Sequence, residues 1–466
     1  MQLTDFQKIH LIGIKGAGMT ALAELLVNQG SEVTGSDTEE IFYTDAILAK
    51  YKIVPHVGFQ ESNIPAGTEL VVYSTAYNKE QNTELAYALT LGIPVLSYPE
   101  AVGLVTETHQ TLAVCGTHGK TTTSALLAHT LKLLGADPSA IIGSRIASWG
   151  GSALLGTGKY FVLEADEYQN KLAHYLPFGV ILTSVDYDHP DFFPTVESYT
   201  ETFETFVRRI PRHGFLIACS DSSDVNAVAN QATCKVVSYG FVAGADYQIT
   251  SWQASLDGEY RQNFELIKGE ENLGRFELRL AGRHNALNAT AVVALHLELD
   301  FEIGSIRQAL KEFEGTERRF EFLGERFGAL IYDDYAHHPE EVRTTLRTFR
   351  ELYPTRTIHA IFHPHTFTRT RALLPEFAQS FDDTDKVTLL PIYGSAREVQ
   401  GGVSSEDLAT AINRFIPNKA DVCLDSIPVL VEQLEKEIGR NDLIVTLGAG
   451  NVWEISHALT KKPTIK

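Results

Sequence analysis

Apolar and polar residues at the start of the chain follow the order strand, helix, strand. Residues 8–14 form an apolar run that predicts a buried strand, and residues 19–29 carry the 3.6-residue period of a helix. A second strand is predicted at residues 31–35. A glycine-rich turn at 15–18 joins the first strand to the helix. This βαβ arrangement is typical of a parallel α/β sheet.

The alternation continues to about residue 100. Strands are predicted at residues 70–74 and 94–96, with a helix at 84–91. The segment 100–109 leads into the next unit, and we place a domain boundary there.

The second unit combines buried strands with a later alternating region. Buried strands in this unit are predicted at 111–115, 160–164 and 180–184. A helix is predicted at 122–134. From 246 to 280, polar and apolar residues alternate between glycine turns, which predicts antiparallel strands. A further helix is predicted from 285 to about 297.

A third unit begins near residue 316. Its predicted strands lie at 329–332, 357–362, 386–390 and 443–446, with helices between them. The pattern therefore predicts an α/β protein of three domains, at residues 1–106, 107–316 and 317–466.

Composition narrows the class of protein. The chain has 466 residues, 44% of them hydrophobic, and a net charge of −20. Non-specific nucleic-acid binding relies on Lys and Arg, so an acidic chain is a poor candidate for it. No apolar run reaches the roughly 20 residues that cross a bilayer, and residues 1–8 do not resemble a signal peptide. The four cysteines form no C-x-x-C pair, as expected in a reducing cytosol. We therefore expect a cytoplasmic protein with no membrane insertion and no nucleic-acid partner.

The segment 113–123 carries the strongest chemical signal. An apolar strand leads through a glycine-flanked turn to Lys120, Thr121 and a helix. Glycines let backbone N–H groups face phosphate oxygens, Lys120 supplies charge for the β- and γ-phosphates, and Thr121 offers a hydroxyl to Mg²⁺. Val114 stands where the eight-residue P-loop has its first glycine, so this loop is shorter. The residues predicted to surround a nucleotide are Gly116, Thr117, His118, Gly119, Lys120, Thr121 and Thr122.

The turn after the first strand permits two interpretations. Gly13-Ile-Lys-Gly-Ala-Gly18 departs from the dinucleotide fingerprint G-x-G-x-x-G, because Lys15 occupies the position of the second glycine. A helix N-terminus suits a pyrophosphate, and Asp37 suits a ribose hydroxyl. A tight turn that binds no ligand is the alternative.

Glu164 and His189 each follow a predicted strand in the unit that carries the phosphate loop. A carboxylate and an imidazole can complete the coordination of a divalent metal begun by Thr121 and the phosphates. The alternative makes Glu164 a surface acid and His189 a hydrogen-bonded turn residue.

Three later groups are also candidates. His284, Asn285 and Asn288 fall on one helical turn, where they either cap the helix or approach an adenine or ribose. Arg318 and Arg319 at the domain junction either bring charge to a phosphoryl group or form a solvated ion pair. The segment 333–339 follows these arginines and carries two adjacent histidines. In the last group, Arg369 and Arg371 either clamp a carboxylate or a phosphate or are exposed arginines.

With these motifs in order, the chain resembles the Mur ligases of peptidoglycan synthesis over essentially its whole length. The motifs that carry the resemblance are Gly116-Thr-His-Gly-Lys-Thr-Thr, Glu164-Ala-Asp-Glu, Asp188-His189, His284-Asn-Ala-Leu-Asn288, Arg318-Arg-Phe-Glu321 and Asp334-Tyr-Ala-His-His-Pro339. The resemblance implies a Rossmann-like first domain for the UDP part of the substrate and a P-loop-type central ATPase domain. It also implies a Rossmann-like C-terminal domain that closes over the site and binds the amino acid.

The resemblance also implies residue roles. Catalytic roles are implied for Lys120, His189 and Arg319, and magnesium ligation for Thr121, Glu164 and His189. The ATP site gains His284, Asn285, Asn288 and Asp334 beside the loop residues. Substrate-binding roles are implied for Gly16, Gly18, Ser36, Asp37, Ser74, Thr75, His338, His365 and Arg369.

The chain departs from the family pattern at four positions. Lys15 replaces a glycine and either pairs with a pyrophosphate or is tolerated by the loop. Ser184 stands where an asparagine is usual, Thr366 where an arginine is frequent, and His363 where a glutamine is common.

The implied activity is an ATP- and Mg²⁺-dependent ligation of L-alanine to UDP-N-acetylmuramate through an acyl phosphate, by a monomer or homodimer. One alternative within the family attaches a tripeptide to the same UDP-sugar during cell-wall recycling, against which the segments 364–369 and 393–398 speak. A nicotinamide-dependent oxidoreductase and a non-catalytic nucleotide-binding protein are alternatives of other classes.

Overall fold

A computed structural model of the chain describes residues 1–146, 149–257, 259–394, 398 and 400–460. The described residues form three β-sheets, each flanked by helices. Short 3₁₀ helices lie at Leu3–Asp5, Glu61–Asn63 and Tyr168–His174. The α/β class predicted from the hydrophobic pattern is confirmed.

The first sheet is wholly parallel. Its strands are β1 (Lys8–Ile12), β2 (Glu32–Asp37), β3 (His56–Val57), β4 (Leu70–Tyr73) and β5 (Val95–Ser97). They lie in the order β3-β2-β1-β4-β5. The connecting helices are α1 (Ala17–Asn28), α2 (Thr44–Lys50), α3 (Thr83–Ala88) and α4 (Tyr98–Glu107). The first helix begins two residues before the predicted one, directly after the glycine turn.

The second sheet has a parallel centre and antiparallel ends. Its strands are β6 (Gln110–Cys115), β7 (Ser139–Ile146), β8 (Gly151–Leu154), β9 (Tyr160–Glu164), β10 (Gly179–Leu182), β11 (Phe215–Cys219), β12 (Lys235–Gly240), β13 (Tyr247–Asp257), β14 (Glu259–Lys268) and β15 (Glu271–Leu278). They lie in the order β15-β14-β13-β12-β11-β10-β6-β9-β7-β8. The antiparallel hairpins predicted between 246 and 280 are β13 to β15. The helices of this unit are α5 (Lys120–Leu133), α6 (Val196–Arg208), α7 (Ser223–Ala229), α8 (Arg283–Glu298) and α9 (Ile303–Lys311).

The third sheet is parallel except at one edge. Its strands are β16 (Glu321–Arg326), β17 (Ala329–Asp334), β18 (Thr357–Phe362), β19 (Lys386–Leu389), β20 (Ala420–Val422) and β21 (Asp442–Leu447). They lie in the order β16-β17-β21-β18-β19-β20, with β16 antiparallel to its neighbour. The helices are α10 (Pro339–Leu352), α11 (Phe367–Ala372), α12 (Leu374–Ala378), α13 (Ser405–Phe415), α14 (Ile427–Glu437) and α15 (Trp453–Leu459).

Burial explains how the units are joined. The first two sheets share one continuous hydrophobic core, and α1 packs against β7 and β8. The third sheet has separate cores on its two faces. The central strand β6 is buried from Thr111 to Cys115, as parallel strands covered by helices on both faces must be. The carboxyl end of this strand carries the phosphate loop.

Among the residues that the structure describes, no helix combines the length and the apolar character that a bilayer crossing requires.

Candidate active site

The phosphate loop lies between β6 and α5, at the carboxyl end of the central strand. Gly116 has φ +129° and Gly119 has φ +79°, in the region that favours glycine. A Cβ on Gly116 would lie 2.3 Å from Oγ1 of Thr183, and one on Gly119 would lie 2.9 Å from Oδ1 of Asn288. Both glycines are therefore required by conformation and by close contact.

Lys120 is held inside the loop by three acceptors. Its Nζ donates to the carbonyl oxygens of Gly116 (2.6 Å) and Thr117 (3.1 Å) and to Oε2 of Glu167 (2.9 Å). Burial lowers the pKa of Lys120, but the charges of Glu167 and Asp166 outweigh burial and raise it above the usual range. The ammonium group is therefore charged at neutral pH.

The two oxygen ligands predicted for a metal are in direct contact. Thr121 Oγ1 donates to Oε1 of Glu164 at 2.7 Å, and Oε2 of Glu164 accepts from the backbone N–H of Gly143 at 2.6 Å. A hydroxyl beside a carboxylate at a phosphate loop is a donor set that suits Mg²⁺, which prefers oxygen ligands.

His189, the third predicted metal ligand, groups with two other acids. One ligand atom from each of Asp166, Glu167 and His189 lies within 4.8 Å of the others. His189 Nε2 is 3.8 Å from Oε1 of Glu167. The structure therefore places His189 beside the Lys120 partner Glu167, a residue that the sequence analysis did not assign.

The loop is supported by the segment after β10. Ser184 accepts from the N–H of His118 through its hydroxyl (2.9 Å) and from the N–H of Thr117 through its carbonyl (3.0 Å). Thr183 donates to the His118 carbonyl. Ser184, the departure from the family's asparagine, thus fixes the backbone of the phosphate loop.

A cavity of about 1070 Å³ opens beside the loop, between the second and third units. Among the residues lining it are His118, Gly119, Thr121, Thr122, Ser184, His284, Asn285, Asn288, Arg319, Asp334 and Glu341. Its volume lies slightly above the usual upper end for small-molecule sites, about 1,000 Å³.

The first turn of α8 lines this cavity. Asn288 Nδ2 donates to Oδ1 of Asn285 at 3.0 Å, and Asn285 Nδ2 donates to the Ala281 carbonyl at 2.6 Å. Burial lowers the pKa of His284 to about 4, so its imidazole is neutral at pH 7. The three residues predicted to meet the adenine or ribose are therefore brought together on one wall.

The two adjacent arginines at the domain junction have different surroundings. Arg318 Nε donates to Oδ2 of Asp333 (2.8 Å), and its NH2 donates to the Gly448 carbonyl (2.7 Å), so Arg318 braces the third sheet. Arg319 lines the cavity, and its buried Nε has no hydrogen-bond partner among the described residues. Arg319 therefore brings a positive charge and an unsatisfied buried donor to the cavity wall.

Asp334 ends β17 at the cavity wall. Its carboxylate accepts from the N–H groups of Phe320 and Ala336, both at 2.7 Å. Burial raises the pKa of Asp334 to about 6, although Arg319 acts in the opposite direction.

Glu341 connects the third unit to the phosphate loop. Its Oε1 lies 3.3 Å from Nδ1 of His118 and 3.9 Å from NH1 of Arg319, and its Oε2 lies 3.3 Å from Nδ1 of His337. Burial acts to raise the pKa of Glu341, but His337, His118 and Arg319 hold it well below its usual range. The sequence analysis did not single out this carboxylate.

The substrate residues predicted in the third unit lie at the same interface. His338 caps α10, and its Nε2 is 3.3 Å from the Tyr187 carbonyl of the second unit. His365 Nδ1 lies 3.3 Å from NH1 of Arg369. Arg369 is almost fully buried and pairs with both oxygens of Asp188, at 2.8 and 3.1 Å. The guanidinium predicted to clamp a substrate is thus held by the second unit, and its clamp role stays a prediction.

The N-terminal candidates lie at the carboxyl ends of β1, β2 and β4. Asp37 accepts from the backbone N–H groups of Lys15 and Thr38, both at 2.7 Å. The Ser36 hydroxyl is fully buried and donates to Oε1 of Glu84 at 2.8 Å, so it faces the interior. A Cβ on Gly18 would lie 2.7 Å from the Tyr98 ring, which explains the glycine there.

The remaining N-terminal candidates lie on turns of the same edge. Gly16 precedes α1, and Ser74 and Thr75 follow β4. Lys15 Nζ bonds the carbonyls of Thr38 (3.0 Å) and Glu40 (2.8 Å) and lies 3.2 Å from Asp45. The ammonium of Lys15 therefore braces the segment after β2, a role that differs from the two considered for it, pairing with a pyrophosphate and mere toleration by the loop.

Two departures of the third unit have local explanations. Thr366 has φ +69° and caps α11 by accepting from the N–H of Arg369 at 3.3 Å. His363 is buried under the 448–450 turn. Of the segment 393–398 that spoke against a tripeptide substrate, Ser395, Ala396 and Arg397 lie outside the described residues.

Comparison with known proteins identifies each unit in turn. Residues 8–110 match the Mur ligase family catalytic domain, residues 114–296 the Mur ligase middle domain, and residues 318–450 the Mur ligase glutamate ligase domain.

Full-length relatives agree with these matches. The chain is 38% identical over 453 residues to the UDP-N-acetylmuramate–L-alanine ligase of Desulfitobacterium hafniense (strain Y51), covering 97% of this chain and 99% of that protein. The solved UDP-N-acetylmuramate–alanine ligase of Thermotoga maritima has a TM-score of 0.82 and 26% identity, with 98% of each chain covered. The solved murein peptide ligase of Psychrobacter arcticus 273-4 has a TM-score of 0.73 and 24% identity, covering 99% of this chain and 100% of that one, a likeness of fold. The chain belongs to the Mur ligase family, whose members are ATP-dependent ligases that form carbon–nitrogen bonds.

Proposed function

We propose that this chain joins L-alanine to UDP-N-acetylmuramate at the expense of ATP, in the synthesis of peptidoglycan precursors. The products are UDP-N-acetylmuramoyl-L-alanine, ADP and phosphate. The phosphate loop with Lys120, beside a cavity that Arg319 lines, carries the phosphoryl-transfer chemistry. The full-length relatives that bear the name of an L-alanine ligase support the choice of amino acid.

The first chemical step activates a carboxylate. An oxygen of the muramate carboxylate attacks the γ-phosphorus of ATP, the bond to the β,γ-bridging oxygen breaks, and ADP leaves. The acyl phosphate then has phosphate as its leaving group in place of oxide. Lys120 and Arg319 offset the repulsion between the carboxylate and the triphosphate, and the loop glycines present N–H groups to the phosphates.

A magnesium ion fits the donors on this face. We assign Thr121, Glu164 and His189 as its protein ligands. Of these, His189 lies beside Asp166 and Glu167. When bound, the ion neutralises phosphate charge and orients the transferring group.

The second step forms the amide. The amine of L-alanine attacks the acyl carbon, a tetrahedral intermediate collapses, and phosphate leaves with the electron pair. The amine must first lose a proton. We propose His189 as the group that accepts this proton, because imidazole titrates in the right range, although ligation of a metal through its free nitrogen competes with this task.

The remaining assignments follow the position of each group. Asn285, Asn288 and Asp334 are proposed for the adenosine, and His338, His365 and Arg369 for the end of the substrate where the amide forms. The uridine diphosphate is proposed to bind at Gly16, Gly18, Asp37, Ser74 and Thr75. Ser36 is proposed to support this site indirectly, through its buried hydrogen bond to Glu84. The domain bounds 1–106, 107–316 and 317–466, a monomeric or homodimeric state and a cytoplasmic location also stay proposals.

A substrate-dependence assay tests the proposal. ADP release is measured with ATP, Mg²⁺ and UDP-N-acetylmuramate, plus L-alanine, glycine, L-serine or the cell-wall tripeptide, and the UDP-sugar product is identified by mass. We expect L-alanine to stimulate ADP release and to appear in the product, with no stimulation by the tripeptide. Stimulation by the tripeptide alone would move the assignment to cell-wall recycling.

A further inference from the structure

A second recess lies on the central unit, among residues that do not line the larger cavity. It has a volume of about 440 Å³ and is formed by the outer face of the β13–β15 hairpins and by α9. The charged residues lining it are Arg261, Arg275, Arg307, Lys311 and Glu277, and its polar lining includes Asn263 and Gln308.

The charge of this recess is opposite to that of the chain. Four cationic side chains and one carboxylate line it, in a protein of net charge −20. The four cations come from the paired strands β14 and β15 and from α9, so the packing of the helix on the hairpin brings them together. A random solvated face of so acidic a chain would favour the opposite sign.

The carboxylate neutralises two of the four cations. Glu277 Oε1 lies 2.6 Å from NH1 of Arg261, and its Oε2 lies 3.2 Å from Nζ of Lys311. Burial acts to raise the pKa of Glu277, but Arg261 and Lys311 lower it, so the group is ionised at neutral pH.

The other two cations retain unfilled donors. Arg307 NH2 donates to the Leu273 carbonyl at 2.7 Å, but its buried Nε has no acceptor among the described residues. Within the same described part of the chain, no carboxylate lies within 4.0 Å of the Arg275 guanidinium, although Glu265 is its cross-strand neighbour. Arg275 thus offers a fork of N–H donors that no carboxylate occupies, and Arg307, which lies over the Phe276 ring, keeps one unfilled donor.

The N-terminus of α9, which lies at this recess, has two of its N–H groups already occupied. Glu302 already accepts from the N–H groups of Gly304 and Ser305, at 2.8 and 2.7 Å. A second nearby acid, Glu312, accepts from Gln308 at 2.8 Å. Anion binding here would therefore depend on the arginine side chains.

We propose that this recess binds a small molecule that carries a diphosphate group, gripped by Arg275 and Arg307 and flanked by Arg261 and Lys311. Guanidinium forks match the spacing of phosphate oxygens, and the excess of positive charge suits a multivalent anion better than a single carboxylate. The volume exceeds that of one phosphate ion and lies within the range of small-ligand sites. The helix α9 also packs against α5, the helix that follows the phosphate loop.

Hydrogen–deuterium exchange with inorganic pyrophosphate as the probe tests this site in the full chain at physiological salt. We expect protection of the β14–β15 and α9 peptides, separate from any protection of the 116–121 loop. The Arg275→Gln/Arg307→Gln double variant should lose the recess protection, weaken pyrophosphate binding there about tenfold or more, and keep both the loop protection and the basal ligase activity. The matched control, Arg208→Gln/Arg212→Gln, removes two exposed positive charges from the same unit and should leave the recess protection unchanged.

Two results would overturn the site. Protection confined to the 116–121 loop would mean that the recess does not bind the probe. Recess protection that survives the double variant, or that the control variant removes to the same extent, would reflect general attraction of anions. Because the readout is local to the recess, its failure is distinguishable from failure of the proposed ligase function.

Discussion

At the residue scale, the cations of the candidate active site each lie against a carboxylate of the chain itself. The pairs are Lys120 with Glu167, His118 with Glu341, and Arg369 with Asp188. A buried cation without a partner would be strongly disfavoured, so these carboxylates keep the site charged and folded without a ligand. An anionic substrate therefore binds by exchanging one set of anionic partners for another.

Variants of the pair Lys120 and Glu167 distinguish an effect on stability from an effect on catalysis. Replacing Lys120 by Met removes the ammonium that donates to the buried Glu167, and we expect a loss of about 3 kcal/mol of stability together with about a thousandfold fall in kcat. The Lys120→Met/Glu167→Gln double variant should regain much of the stability but none of the activity. Thermal unfolding and ADP release measure the two effects, with Lys132→Met on the same helix as the control. A single variant that keeps the parent kcat would remove Lys120 from the chemistry.

The contact between His118 and Glu341 is predicted to depend on pH. Burial acts to lower the pKa of His118, but Glu341, Asp186 and Asp188 together raise it. A raised folded-state pKa contributes stability below the unfolded value of about 6.5 and loses it as pH rises through the folded value. Glu341 has a lowered pKa, so its own contribution is present at neutral pH and is lost only in acid.

The difference in thermal midpoint between the parent and His118→Gln should therefore be largest near pH 6 and shrink towards pH 9, by about 2 °C or more. The exposed His213→Gln variant should show no such trend. A difference that grows with rising pH would contradict the assigned ion pair.

At the element scale, the glycine at the start of α5 belongs to the phosphate loop, whereas the glycine after the end of α5 is an ordinary helix terminus. Gly119 (φ +79°) and Gly135 (φ +77°) flank the same helix, but a Cβ on Gly135 meets nothing within 4 Å. Alanine at either position should cost about 1–2 kcal/mol of stability through its backbone conformation. At Gly119 the methyl group also crowds Asn288.

Calorimetric titration with an ATP analogue should thus show binding weakened about tenfold or more by Gly119→Ala and unchanged by Gly135→Ala. Equal affinities for the two variants would mean that the loop does not form the nucleotide site.

Strands, helices and the phosphate loop were predictable because their signals are local. The helix after the loop begins at Lys120 where the spacing of apolar residues predicted it at 122, since the first turn of a helix carries little periodicity. The hairpins β7 and β8 were missed because their mixed small and polar residues follow no clear alternation.

The pairing of charges was not predictable from the sequence. Arg369 and Asp188 lie 181 residues apart, and nothing in the local pattern of either indicates the other. Glu341 gives no separate signal in the sequence, because an acid in the first turn of α10 is already explained by a capping box. Glu167 could have been found, since it lies in a run of acids just after a buried strand.

At the scale of the whole molecule, the third unit docks on the second through buried polar contacts. Arg369→Met would remove the guanidinium that donates to both oxygens of the buried Asp188, which costs about 3 kcal/mol or more. We expect the third unit to separate from the second, so that small-angle scattering of the ligand-free protein gives a larger radius of gyration. The exposed neighbour Arg371→Met should leave the scattering unchanged. An unaltered radius for Arg369→Met would mean that other contacts hold the units together.

The transfer of the γ-phosphoryl group to a carboxylate is the step on which the whole arrangement of the three units depends. It is tested with UDP-N-acetylmuramate that carries the heavy isotope of oxygen in its carboxylate, together with ATP, Mg²⁺ and L-alanine. The mass of the released phosphate is measured by mass spectrometry. If the carboxylate is phosphorylated, each phosphate carries one heavy oxygen from the sugar acid. Phosphate that is released as fast as the amide forms but carries no heavy oxygen would contradict the acyl phosphate and the role given to Lys120.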